Sequence, residues 1–289
     1  MSTGAPPSRL IIWWRSIRPA TLWAGAAPVM VGTGLAISDG QWAALPACVA
    51  LIGALLIQIA CNLVNDYSDF ESGADTEARL GPARAAQQGW LTVSDLKRGA
   101  LISLALAGLT GVYLTYVAGW PILLLGLLSL LCAVAYTAGP FPLAYLGLGD
   151  LFVLLFFGFG AVGGTYYVQA LSLKPELIGW GWSVGALATA ILVVNNLRDR
   201  EGDARVAKRT LAVRFGPSFA RLEYSALVVS ALLWPASQGL YLPLALSPIA
   251  LWLVMRVWRL DGEALNPLLG QTALLELAFC VLSALSLAL

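Results

Sequence analysis

Apolar residues fall along the chain in nine long blocks, approximately 19–38, 42–65, 95–118, 121–137, 150–172, 176–197, 218–238, 241–258 and 268–288, with polar residues gathered between them. The blocks approach the roughly 20 helical residues needed to cross a hydrocarbon core about 30 Å thick. The period-two alternation of a membrane strand is absent. The pattern therefore predicts an all-α, polytopic membrane protein with nine transmembrane helices, forming a single integral membrane domain over residues 1–289. Connections near 39–41, 119–120, 173–175 and 239–240 are short, and each contains Gly or Pro, which favours a tight turn. The alternate connections are longer and polar.

Placing the N-terminus in the cytoplasm puts every Lys and Arg except Lys174 on the cytoplasmic side, and the C-terminus then lies outside. The loops 66–94, 138–149 and 198–217 share that cytoplasmic face, so any chemistry is expected there. Arg9, Arg15 and Arg18 before an apolar run imitate a signal peptide, but no cleavage pattern follows, and the segment is expected to stay as the first helix.

Composition agrees with the block pattern. Of 289 residues, 59% are hydrophobic and 11% charged, more apolar surface than one soluble core can bury; the mean hydropathy is +0.78. Membrane lipid is the expected surround, and no nucleic-acid partner is expected. The net charge of +1 conceals the asymmetry between the two faces. Cys48, Cys61, Cys132 and Cys280 are scattered in apolar segments without metal-site spacing, and are read as packing residues. There is no histidine, which removes Ser-His-Asp and Cys-His mechanisms and leaves oxygen ligands for any metal.

The polar residues inside the blocks then stand out. Asn62, Asn65, Asp66 and Asp69 fall on one face of a helix, with Asp75 shortly after. A carboxylate at membrane depth costs roughly 2.5 to 3.5 kcal/mol, so such a face requires a cation, a partner or water. We read it as half of a Mg²⁺ site. A second stretch, Asn195-Asn196-Leu197-Arg198-Asp199-Arg200-Glu201-Gly202-Asp203, sets Asn195, Asp199 and Asp203 at successive four-residue steps. Mg²⁺ takes oxygen ligands and commonly binds through one or two carboxylates plus substrate phosphates, so two facing clusters suit two ions bridging one diphosphate. Lys208, Arg209, Arg79 and Arg84 offer positive charge to phosphate oxygens. The competing reading is a solvated helix cap on each side, which is common for one cluster and uncommon for two such clusters on one face.

Between these clusters, residues 136–147 form a Gly- and Pro-rich segment suited to roofing a cavity. Tyr136, Tyr145 and Tyr166 are candidates to stabilise positive charge on a substrate through their ring faces. Gly158, Gly160, Gly163 and Gly164 are expected to let helices approach closely. Glu276 is a buried carboxylate without an assigned partner.

These motifs resemble the UbiA superfamily of intramembrane aromatic prenyltransferases over most of the chain, and within it the branch that prenylates 1,4-dihydroxy-2-naphthoate. The points of resemblance are Arg18-Pro19, Asn65-Asp66-Tyr67-Ser68-Asp69 continuing to Gly73-Ala74-Asp75, residues 79–84, Gln88-Gly89 and Tyr136-Thr137-Ala138-Gly139-Pro140. They continue with Gly164-Thr165-Tyr166-Tyr167, Asn195-Asn196-Leu197-Arg198-Asp199 and Lys208-Arg209-Thr210-Leu211. The superfamily's NDxxDxxxD is not met in full, since Gly73 stands where the third aspartate is expected and Asp75 follows. That longer spacing is typical of the naphthoate branch, and Asp150 stands where the branch more often has Glu.

The resemblance implies a helical bundle around a cavity open to lipid, in a bacterial cytoplasmic (inner) membrane. It implies transfer of a polyprenyl group from a polyprenyl diphosphate to 1,4-dihydroxy-2-naphthoate, with loss of CO2, towards demethylmenaquinone; another aromatic acceptor or phytyl diphosphate is the alternative within the family. The implied metal ligands are Asn65, Asp66, Asp69, Asp75, Asn195, Asp199 and Asp203, with Asp66, Asp69, Asp199 and Tyr145 in catalysis. Arg18 and Asn196, with Tyr136 and Tyr166, are expected around the acceptor or the cation. Outside the family, a CDP-alcohol phosphotransferase lacks its signature here, and an ion-coupled transporter would place its acids nearer the membrane centre.

Overall fold

A computed structural model describes residues 8–75 and 79–289; residues 1–7 and positions 76–78 of the first polar loop lie outside the described residues. Every regular element among these residues is helical. The order is α1 (Arg9–Ser16), α2 (Pro19–Ser38), α3 (Ala44–Glu71), α4 (Val93–Ala118), α5 (Trp120–Ala135) and α6 (Gly149–Val153). A π-helical stretch over Leu154–Gly160 leads into α7 (Ala161–Ala170). Then come α8 (Glu176–Arg205), α9 (Leu211–Phe215), α10 (Pro217–Ser237), α11 (Ser247–Arg259) and α12 (Asn266–Ala288). Seven helical runs among the described residues are long and apolar enough to cross a membrane by length and composition. Of the other two predicted segments, Trp120–Ala135 is apolar but shorter, and Pro217–Ser237 carries Arg221 and Glu223.

Two helices outrun their apolar blocks. The segment predicted to end at 65 runs on to Glu71, and the one predicted to end at 197 runs on to Arg205. Asp66 and Asp69 therefore ride on a helical extension of α3, with Asp75 in the loop just beyond it, and Asp199 and Asp203 ride on an extension of α8. Arg9 and Arg15 lie on α1, a separate short helix with Leu10, Ile11 and Trp14 exposed and Ile12 and Ser16 buried. Such a two-sided helix suits the plane of a membrane interface.

The bundle centres on α8, packed against α2, α10 and α12 through fully buried side chains such as Trp180, Val184, Leu187, Tyr224 and Phe279. Gly158 on the π-helical stretch explains one close approach: a β-carbon there would stand 2.1 Å from the Gly181 carbonyl oxygen of α8. Small residues let backbones meet in this way. Gly163 has open space around it, so the packing role expected of all four glycines in this segment does not hold for it. Glu276 is wholly buried in α12, and neither carboxylate oxygen has a hydrogen-bond partner among the described residues.

Candidate active site

The end of α3 and the loop after it form one acidic centre. Asp69 accepts from Arg84 Nη1 at 2.8 Å and from the Tyr145 hydroxyl at 3.2 Å. Asp75 is ion-paired with Arg79, and its other oxygen lies 3.0 Å from Arg84 Nη1. Arg84 also donates to the Asn65 carbonyl at 2.8 Å, so one guanidinium ties the helix end to the loop. Burial pushes the Asp75 carboxyl above its ordinary range, and Arg84 and Arg79 only partly offset this. Burial and the Asp69 charge raise the Tyr145 phenol as well, which keeps it a proton donor at neutral pH.

Asp66 is placed differently. Its two oxygens accept from the backbone amides of Ala85 at 3.2 Å and Ala86 at 3.3 Å, so it anchors the segment that presents Arg84. Asn62 donates to the Ile17 carbonyl and the Thr21 hydroxyl, each at 2.9 Å, joining α3 to the junction that holds Arg18.

At the end of α8 the organiser is Arg198, which sequence reasoning quoted in a motif without a role. Its guanidinium grips both oxygens of Asp199 at 2.8 and 2.6 Å, and donates to Asn195 Oδ1 at 2.7 Å and Asn266 Oδ1 at 3.0 Å. Asn266, also missed, donates to the Leu80 carbonyl at 2.8 Å, which links the two centres through the first loop. Gly81 sits between Arg79 and Arg198: a β-carbon there would be 2.9 Å from Arg198 Nη2 and 3.0 Å from Arg79 Nη2. Lys208 Nζ lies 3.3 Å from Asp203 and 5.7 Å from the centroid of the Tyr145 ring. Tyr145 thus touches both centres. The signal for Arg198 was its spacing, one turn from Asn195 and adjacent to Asp199.

These centres close one end of a cavity of about 610 Å³. Arg18, Asn65, Asp69, Arg84, Tyr136, Asp150, Asn195, Asn196 and Lys208 line its polar end, and small or apolar residues such as Gly53, Gly111, Gly126 and Gly164 line the rest. Arg18 has a left-handed backbone (φ 52°) immediately before Pro19, and its Nη2 is buried without a partner among the described residues. Burial, then the Arg84 and Arg79 charges, push its pKa down to about 9. An anion beside it would relieve that cost.

Two predicted site residues are not brought here. Tyr166 donates to Asp39 Oδ2 at 2.7 Å, with Lys174 Nζ 2.6 Å from the same oxygen and 5.1 Å from the ring centroid. Asp39 follows the far end of α2, about 30 Å from Arg18 at 1.5 Å per residue, so Tyr166 cannot serve a cation formed at the acidic end. Arg209 has an exposed side chain and reaches the site only through its backbone amide, which donates to the Tyr145 carbonyl at 3.0 Å.

Mg²⁺ fits the donors present. Among the described residues no three carboxylate, thiol or imidazole groups gather closely enough to hold a metal unaided. The buried Asn65 Oδ1 and Asp203 Oδ2 nevertheless lack hydrogen-bond partners among these residues. Oxygen donors divided between two centres suit an ion that keeps waters and arrives with substrate phosphates.

A helical membrane bundle with acidic and basic groups at the mouth of an apolar cavity defines an intramembrane enzyme built for a substrate with an anionic head and a greasy tail. The chain belongs to the UbiA prenyltransferase family, whose model matches residues 26–267. It is 40% identical over 280 residues to the 1,4-dihydroxy-2-naphthoate octaprenyltransferase of Escherichia coli (strain K12), covering 92% of this chain and 91% of that one. It is 36% identical to the protein of that name from Mycobacterium tuberculosis (strain ATCC 25618 / H37Rv), covering 96% of each. Among solved structures, the UbiA homolog from Archaeoglobus fulgidus bound to DMAPP and Mg²⁺ shares the fold. Its TM-score is 0.64 at 18% identity, with 96% of this chain and 99% of that one covered. The protein is a multi-pass membrane prenyltransferase.

Proposed function

We propose that this protein transfers a polyprenyl group from an isoprenyl diphosphate to 1,4-dihydroxy-2-naphthoate, releasing diphosphate and CO2. The observation that carries this reading is the pairing of two acidic helix ends with Arg79, Arg84, Arg198 and Lys208 at the mouth of a cavity that is otherwise largely apolar. The relatives' names supply the acceptor. The product leaves at the quinol level of demethylmenaquinone, because no oxidant enters the reaction.

In this reading Asn65, Asp69 and Asp75 hold one Mg²⁺ and Asn195, Asp199 and Asp203 a second. Bound there, the ions supply positive charge to the departing diphosphate. Arg79, Arg84 and Lys208 contact its oxygens, placing positive charge where negative charge develops on the leaving group. The phenol of Tyr145 orients Asp69, and the ring faces of Tyr145 and Tyr136 shield the allylic carbon from water. Arg18 takes the naphthoate carboxylate, with Asn196 beside the ring. The tail lies along the glycine-lined part of the cavity. All nine apolar segments cross a bacterial inner membrane, with the N-terminus and the acidic ends in the cytoplasm and the C-terminus outside.

Purified protein in detergent, given dihydroxynaphthoate, labelled geranylgeranyl diphosphate and Mg²⁺, is expected to form a decarboxylated, prenylated naphthalenediol detectable by mass spectrometry. No such product with saturating substrates overturns the assignment of the acceptor.

A further inference from the structure

We propose that Asp150 is the acid–base residue for the acceptor's ring hydroxyl, an inference that rests on the prenyl-transfer reading above. Two carboxylates line the cavity among the described residues, Asp69 and Asp150. Asp69 is held by Arg84 and Tyr145. Asp150 is 6% exposed, and among the described residues neither of its oxygens has a hydrogen-bond partner and no salt bridge reaches it. A buried carboxylate without a partner is expensive, and at a cavity wall a bound ligand can satisfy it.

The surroundings specify what kind of ligand. Asp150 opens α6, one residue after Gly149, where a β-carbon would stand 3.0 Å from the Tyr136 hydroxyl. The phenol of Tyr136 therefore rests against the turn that carries Asp150. Asn196 lines the same cavity. The Thr189 hydroxyl donates to the Gly185 carbonyl at 2.7 Å and lies 3.4 Å from the Asp150 carbonyl, so it does not engage the Asp150 carboxylate. Glu276 provides a contrast, since it is also buried and unpartnered among the described residues but does not line the cavity. A flat ring bearing hydroxyl groups matches this wall, with one hydroxyl donating to Asp150 and the ring carboxylate on Arg18.

The step balances without a further reagent. The hydroxyl proton passes to the Asp150 carboxylate as the oxygen becomes a ketone, and the ring π pair forms the bond from the adjacent, carboxyl-bearing carbon to the allylic carbon. The allylic C–O bond breaks with its electron pair on the diphosphate. The resulting β-keto carboxylate loses CO2, the pair from that bond restores the ring, and Asp150 returns the proton to the oxygen. Asp150 ends as it began.

The test compares Asp150→Asn, Asp150→Glu and Glu276→Gln in purified protein. Positioned acid–base groups contribute about 10²-fold or more, so Asp150→Asn should lower kcat by at least that factor. The KM for geranylgeranyl diphosphate should stay within about threefold, since that substrate's contacts are intact. Asp150→Glu should recover much of the loss by restoring the carboxylate, and Glu276→Gln should keep kcat near wild type. Retention of kcat by Asp150→Asn overturns the proposal, as does failure of Asp150→Glu to rescue or an equal loss in Glu276→Gln. Failure of the acceptor assignment itself shows separately, as wild-type protein that makes no prenylated naphthalenediol.

Discussion

The two acidic helix ends do similar electrostatic work by different means. At the end of α3 the balancing cations, Arg79 and Arg84, come from the following loop, and that loop is held down by Asp66 through the Ala85 and Ala86 amides. At the end of α8 the main cation, Arg198, belongs to the same helix as Asp199, the acid it grips, and its outer contact is Asn266 of α12. The first centre depends on loop docking and the second is built into one rigid element. Ligand-binding segments are commonly drawn from the less stable parts of a fold, so the first centre is the one expected to rearrange when diphosphate arrives.

The largest effect should come from removing the acid at the heart of either centre. Asp69→Asn and Asp199→Asn are each expected to cut kcat by about 10²- to 10³-fold or more, measured as prenyl transfer at saturating Mg²⁺. Near-normal transfer by either variant would break the symmetry of the two centres. Next, Arg198→Lys should cost more than Arg79→Lys, because Lys cannot reproduce the two-pronged grip on Asp199. We expect a loss on the order of tenfold or more and a raised Mg²⁺ requirement, read from Mg²⁺ titrations; equal losses would remove the distinction between the centres. Asp66→Ala should act through the loop, leaving two buried amides unpaired at roughly 1 to 3 kcal/mol each. Its signature is a lower thermal midpoint and faster proteolysis within residues 79–90, with residual activity.

The smallest effect concerns the opposite end of the bundle. Burial works against ionisation of Asp39, but hydrogen bonds from Lys174 and Tyr166 outweigh it and hold the carboxyl below its ordinary value. A lowered acid contributes stability above the ordinary value of about 3.9, and that contribution fades as pH falls below it. The pair is partly exposed, with side chains 23% and 32% accessible, so screening keeps the gain under about 1 kcal/mol. The difference in thermal midpoint between wild type and Asp39→Asn should therefore be small at pH 7 and shrink progressively as pH falls below about 3.9.

Much of the site was legible because membrane burial makes polar residues conspicuous. Asn65, Asp69, Asn195 and Asp203 could be singled out by period alone, and Arg84 and Lys208 by charge near them. Tyr166 was misplaced because period reports which face of a helix a residue occupies, but proximity to the acids depends on its depth along the axis, and Tyr166 lies towards the end opposite Asp69. Arg198 escaped because a basic residue just past an apolar block also serves topology. Its grip on Asn195, Asp199 and Asn266 appears only when α8 and α12 stand side by side.

The chain's own pattern determined the helical membrane class, the positions of most apolar segments and the two acidic stretches, since each follows from local period and the energetic penalty on polar groups in lipid. Tertiary structure decided which carboxylates are balanced, which anchor a loop and which face the cavity unpaired. Those outcomes depend on contacts between residues far apart in sequence, as where Asp69 meets Arg84 and Tyr145 while Asp150 meets neither.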